Sequence, residues 1–133
     1  MAYTLKIGEQ APDFNLLGTD NVFHDLSSYS KYKLLIISFT CNHCPYVIGS
    51  DETTRKTVEK YNRESMKLIC INSNSKNTYE ADSFENMQIR MKENKFPWDY
   101  LHDESQEIAS NYGALKTPHF FVFDSNRLLI YTG

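Results

Sequence analysis

The chain has 133 residues, 41 % hydrophobic side chains and a formal net charge of −3, which suits one domain, residues 1–133, built on one sizeable core. Its lysines and arginines are scattered among acidic residues, so it lacks the electrostatic footprint of a nucleic-acid binder. The opening Met1-Ala2-Tyr3-Thr4-Leu5-Lys6 has no apolar signal core and no apolar run is long enough to span a bilayer, so no membrane partner is expected and the protein is placed in the cytoplasm.

In chain order, residues 1–30 carry turn punctuation at Gly8, Pro12, Gly18 and Asp20-Asn21, with Phe14, Leu16, Val22 and Phe23 between. That pattern predicts a small hairpin or extended arm ahead of a core at 31–133. Leu34-Leu35-Ile36-Ile37-Ser38-Phe39 reads as a strand buried on both faces, and the polar stretch 45–64 as a helix loosened at Gly49. Lys67-Leu68-Ile69-Cys70-Ile71 is a second strand, followed by a polar loop at 72–76. Asp82 and Glu85 have capping-box spacing ahead of Phe84, Met87 and Met91, which share one helical face. Phe96-Pro97-Trp98 ends that helix, with Trp98 packed over the sheet. Asp103 and Gln106 repeat the capping spacing before Ile108, Ala109 and Tyr112, and Gly113 fits a C-terminal cap. Phe120-Phe121-Val122-Phe123, a turn at 124–127 and Leu128-Leu129-Ile130-Tyr131 form the clearest hairpin. Strands alternating with helices and closed by a hairpin imply a mixed α/β sheet flanked by helices, its parallel neighbours joined by right-handed crossovers.

The most informative motif is Cys41-Asn42-His43-Cys44, two thiols one helical turn apart at the first strand-to-helix turn of the core. The thiolate is the nucleophile in disulfide exchange, and the unpaired N–H groups and dipole of a helix start favour it. Cys41 is therefore the expected attacking sulfur, open to substrate, and Cys44, deeper on the same helical side, the resolving one. His43 adds a cation beside the pair, Asn42 lies between the thiols, and Pro45 suits a first helical turn where its missing N–H costs little. A zinc site would need a second Cys or His pair at ligand spacing, and the sequence offers only Cys70 and scattered histidines. Neither a metal nor a cofactor is expected. Cys70, inside an apolar strand, reads as a small buried hydrophobe.

Three separated motifs make the chain resemble a thioredoxin-fold protein of the redoxin or alkyl-hydroperoxide-reductase-like group: Ile7-Gly8-Glu9-Gln10-Ala11-Pro12-Asp13-Phe14, Cys41-Asn42-His43-Cys44-Pro45-Tyr46-Val47 and Thr117-Pro118-His119-Phe120-Phe121-Val122-Phe123-Asp124. The resemblance implies a thioredoxin-like sheet and a cis proline at Pro118 facing the dithiol, with Thr117 and Pro118 holding an extended substrate segment. A cis X–Pro bond costs only about 0.5–1 kcal/mol. His119 reads as a half-exposed strand residue. Two departures stand out. Thioredoxin has a buried acid on the strand before its dithiol, whereas this strand has none and the general base is unassigned. Thioredoxin-like sheets also finish with a helix after the last hairpin, whereas this sequence stops at Thr132-Gly133. Truncation, or an uncovered sheet face favouring a homo-oligomer, is the expectation.

The function implied is a thiol–disulfide oxidoreductase acting on protein or peptide disulfides and recharged by an electron-donor or acceptor thiol system. A peroxiredoxin-type peroxidase is the runner-up. Ser38-Phe39-Thr40-Cys41 echoes part of that class's motif, but Leu34 replaces its proline and Pro118 stands where its arginine would fall. A Cu(I)-binding module on the same fold is a third reading, since soft thiolates suit that ion.

Overall fold

The computed structural model describes residues 4–42, 45–61, 65–74 and 82–133. Along them run β1 (Asn15–Gly18), β2 (Phe23–Asp25), a 3-10 helix (Leu26–Tyr29), β3 (Leu34–Thr40) and α1 (Pro45–Tyr61). There follow β4 (Met66–Asn72), α2 (Phe84–Asn94), β5 (Asp99–His102), α3 (Glu107–Tyr112), β6 (His119–Phe123) and β7 (Leu129–Thr132). The seven strands among the described residues form one mixed sheet in the order β2-β1-β5-β4-β3-β6-β7. The central strand is β3, parallel to β4 from Leu34↔Met66 to Thr40↔Asn72 and antiparallel to β6 from Leu35↔Phe123 to Phe39↔His119. The opening segment does form a hairpin, β1–β2, and it docks antiparallel on β5.

Alternation along β3 divides the core in two. Leu35, Ile37 and Phe39 point to a face shared with Ile69, Ile71, Leu101, Phe121 and Phe123, covered by Leu5, Phe14, Tyr29 and the α3 residues Ile108 and Tyr112. Ile36 points the other way, toward Val58 of α1, Leu68, Cys70, Met87 of α2, Phe96, Trp98 and Tyr100. Leu35, Ile37, Phe121 and Phe123 are each 0 % exposed, and full burial of such a side chain stabilises by about 1.5–3 kcal/mol. The expectation of an uncovered sheet face is therefore corrected over the central strands. The N-terminal arm and α3 cover one side, α1 and α2 the other, and the exposed apolar residues Ile130 and Tyr131 lie on the edge strand β7.

Three further expectations change. The sequence does not predict β5: at four residues, Asp-Tyr-Leu-His, it is too short to show a period, and its pairing with β4 defines it. The cap of α2 is Ser83, whose Oγ accepts the Asn86 N–H at 3.1 Å, not Asp82. Asp103 does serve α3, but from four residues upstream, its carboxylate accepting the Ile108 and Ala109 N–H groups at 3.3 and 2.9 Å while Ser73 Oγ donates to it at 2.7 Å. Gly113, at φ 68°, closes α3 in the left-handed conformation the sequence predicts for a C-terminal cap.

The β6–β7 turn is fastened to the body of the protein by Arg127, which takes a left-handed φ of 61° with a bulky side chain. Its guanidinium donates to the carbonyls of Asp124, Tyr29 and Tyr32 at 2.8, 2.8 and 2.7 Å. The Tyr29 and Asp124 carbonyls also accept the backbone N–H groups of Tyr32 and Arg127, at 3.1 and 2.9 Å, so truncation removes three charge-assisted bonds and takes the guanidinium donor from the Tyr32 carbonyl. Arg127→Met is expected to destabilise the fold by about 2–4 kcal/mol. Urea unfolding with an unchanged m-value checks this, and a loss below about 0.5 kcal/mol would show that the turn is held by other means.

Candidate active site

Because β3 ends at Thr40 and α1 begins at Pro45, Cys41 occupies the strand-to-helix turn at the carboxyl edge of the sheet, where α/β folds place their ligands. Proline suits that first helical position, since its fixed φ is pre-organised for a helix. The β3–β6 register, Phe39↔His119, then carries the segment preceding β6 alongside this turn. The Thr117-Pro118 bond is cis, and Thr117 Oγ1 lies 3.9 Å from Cys41 Sγ. Cys41, Asn42, Thr117 and Pro118 are thus brought to one place. His43 and Cys44 lie outside the described residues, and for Pro45 the description is of backbone alone.

Cys41 itself is 1 % exposed, which corrects the expectation of an open sulfur. Reaction with anything larger than a water requires the groups over it to move aside. The loop facing it is held from behind by His119. That side chain is 5 % exposed instead of half-exposed, stacked on Phe121 with ring centroids 4.4 Å apart. The Leu115 N–H donates to His119 Nδ1 at 3.0 Å, so the ring proton sits on Nε2, 3.0 Å from Thr132 Oγ1. Burial, with Lys116 nearby, holds the His119 pKa below its ordinary value of 6.5.

On the other side of the turn lies a polar network that sequence reasoning missed. Asp82 is 0 % exposed, and its Oδ1 accepts the backbone N–H of Asn42 at 2.6 Å and Asn72 Nδ2 at 3.1 Å. Its Oδ2 accepts Asn74 Nδ2 at 3.1 Å. The Tyr100 hydroxyl accepts from Asn72 Nδ2 at 3.0 Å and donates to Asn42 Oδ1 at 2.8 Å, and burial pushes its pKa well above the ordinary tyrosine value, keeping it a donor. Four segments meet: the Cys41 turn, the end of β4, the start of α2 and β5. The one available signal was two successive cap formers, Asp82 and Ser83, of which a single helix start uses only one.

Beneath the turn, between the sheet and α1 and α2, is a cavity of about 20 Å³ with mixed polar and apolar walls, room for roughly one water. Ser38, Thr40, Asp51, Cys70, Arg90 and Pro118 contribute to its walls. Asp51 is ion-paired with Arg90, whose guanidinium lies over the Phe96 ring, 4.9 Å from its centroid. The strand supplies no acid here, and the carboxylate at this cavity comes from α1. Cys70 is 6 % exposed and is not bridged to Cys41, and burial pushes its thiol pKa up, so it remains a neutral, packed thiol. Among the described residues no group of three or more His, Cys, Asp or Glu is arranged to hold a metal ion.

The model of the Redoxin family matches residues 6–133. No curated protein matches the chain. Solved structures do. A hypothetical protein from Sinorhizobium meliloti 1021 is 30 % identical, with a TM-score of 0.94 over 98 % of this chain and 72 % of its own. An uncharacterized conserved protein from Geobacillus kaustophilus is 34 % identical, with a TM-score of 0.94 over 98 % of this chain and 69 % of its own. The thioredoxin domain of a thiol-disulfide oxidoreductase from Bacteroides vulgatus shares 15 % identity and a TM-score of 0.80 over 97 % of this chain and 89 % of its own, which establishes the thioredoxin-like fold.

The neutral state of His119 has a pH signature. An unfolded histidine takes up its proton near pH 6.5, before the buried one does, so below that pH the unfolded state binds more protons and stability falls. The urea midpoint is expected to be flat above about pH 6.5 and to decline as pH drops through the interval down to the lowered native pKa. His119→Gln should remove that part of the decline, and an identical profile in the variant would refute it.

Proposed function

Because the chain belongs to the Redoxin family and its thioredoxin-like fold sets Cys41 against a cis-proline loop, we propose that it is a thiol–disulfide oxidoreductase acting on protein or peptide disulfides. Cys41 is the attacking sulfur. Its thiolate forms a bond to one sulfur of the substrate disulfide and displaces the other, which leaves as a thiolate and takes up a proton. The Cys44 thiolate then attacks the Cys41 sulfur of the mixed disulfide, releasing the second substrate thiol and leaving a Cys41-Cys44 disulfide. Two electrons and two protons pass from the chain to the substrate, and a thiol redox partner returns them. Thr117 and Pro118 hold the substrate segment, while Asn42, His43 and Pro45, close to Cys41 in sequence, tune its thiol.

The observation that carries this reading is the 3.9 Å approach of Thr117 Oγ1 to Cys41 Sγ. A segment lying along the loop before β6 meets the sulfur at the sheet's carboxyl edge, and a hydroxyl there can donate to a thiolate. Peroxide reduction is the lesser reading, because the place of the peroxidase arginine is taken by Pro118, which has no donor at all.

A Cys44→Ser variant incubated with oxidised glutathione and with a disulfide-containing unfolded protein is expected to accumulate mixed disulfides on Cys41 that dithiothreitol releases. Cys41→Ser should trap neither. Trapping through Cys44 in the second variant would reverse the assignment of roles, and no trapping in either would sink the proposal. Stopped-flow mixing with hydrogen peroxide should oxidise Cys41 no faster than an ordinary thiol, whereas rapid stoichiometric oxidation would move the function to the peroxidase class.

A further inference from the structure

We propose that Asp82 is a positioning residue for the redox turn, docking the peptide unit that follows Cys41 and holding the sulfur less acidic than the bare turn would make it. The inference rests on Cys41 being the reactive thiol. Its physical basis is the burial of a carboxylate at a place where local structure does not call for one. Ser83 already caps α2, yet Asp82, the residue before it, is 0 % exposed and directs Oδ1 to the Asn42 N–H at 2.6 Å. Burying a carboxylate is costly unless it is well hydrogen-bonded. Among the described residues the donors that offset this cost are Asn42, Asn72 and Asn74, all belonging to the turn or to the end of β4 beside it.

Two consequences follow for Cys41. The first is mechanical, since the amide immediately after the nucleophile is tied to a fixed, buried acceptor and the turn is pre-organised. The second is electrostatic. Bond lengths put the Asn42 nitrogen within about 5 Å of the sulfur of the preceding residue, and the Asp82 oxygen within roughly 8 Å. That is inside the screening length of physiological salt, and the carboxylate is buried, so the solvent damps its field little. A negative charge there disfavours the Cys41 thiolate, and a less stable thiolate makes the disulfide couple more reducing. Among the described residues, other ionisable groups on elements packed against the turn include Tyr100 and His102 on β5, Asp103 just after it, Lys116 and His119 on the cis-proline side, and the paired Asp51 and Arg90 from α1 and α2. Tyr100 and His119 are held neutral, and Asp51 and Arg90 offset one another.

Asp82→Asn tests the charge with the shape kept. Its side-chain oxygen still accepts from Asn42, and rotation of the Asn74 amide supplies an acceptor for the new NH₂ group. In the reduced protein, the rate of Cys41 alkylation by iodoacetamide, mapped by mass spectrometry across pH, is expected to reach its midpoint about one unit lower than in wild type. The equilibrium constant against glutathione should move about tenfold toward the oxidising side, close to 30 mV. Asp82→Ala loses the acceptor as well and should also lower the urea midpoint. An Asn variant with the wild-type alkylation midpoint would overturn the proposal, even if the Ala variant were destabilised, because a merely structural role moves stability alone. A wild-type protein that forms no Cys41-Cys44 disulfide would refute the exchange reading instead, and the alkylation midpoint would still decide the role of Asp82.

Discussion

Everything at the candidate site depends on the pairing of β3 with both of its neighbours. All seven residues of Leu34–Thr40 are in register with β4, and five of them with β6. From Phe39↔His119, one further step along each strand sets Thr40 level with Pro118, and the next brings Cys41 to Thr117, where the two side chains meet at 3.9 Å. On the opposite flank Thr40↔Asn72 and Asn72↔His102 bring the ends of β4 and β5 to the same level. A slip of one residue would turn Leu35, Ile37 and Phe39 toward the α1–α2 face and bring Ile36 and the polar Ser38 under the N-terminal arm and α3. Register is therefore set by apolar burial, and the site inherits its geometry from that burial.

The two flanks of the turn are built from different chemistry. Toward β6 the thiol of Cys41 faces the Thr117 hydroxyl at 3.9 Å, next to the cis Thr117-Pro118 bond. Toward β4 and β5 the contacts are a buried amide and carboxylate network joined by one phenol, with Asn72 and Asp82 both 0 % exposed. Such networks strengthen a structure when every member is partnered and weaken it when one is not.

Much of this was legible in the sequence. The long apolar run of β3, the helix after it, the arm with its turn signals, the Gly113 cap and the final hairpin all rest on local signals: an apolar run, polar punctuation, a glycine. What escaped was set by distant neighbours. Asp99–His102 is a strand because β4 pairs with it, not because four residues show a period. Asp82 looked like a cap because spacing cannot tell which of two adjacent cap formers the helix will use. His119 looked half-exposed because strand alternation does not reveal that Leu115 and Thr132 enclose it. The covered state of Cys41 is likewise a tertiary fact, since a turn at the end of a strand is exposed by default.

The burial of Cys70 limits what oxidation can do to this chain. Three sulfurs admit three intramolecular pairings, and scrambling among them would defeat the proposed reversible couple. Cys70 sits between Ser38 and Tyr100 on the neighbouring strands, and burial favours its neutral thiol, the form that does not attack disulfides. Burial in β4 thus sets Cys70 apart from the turn that carries Cys41.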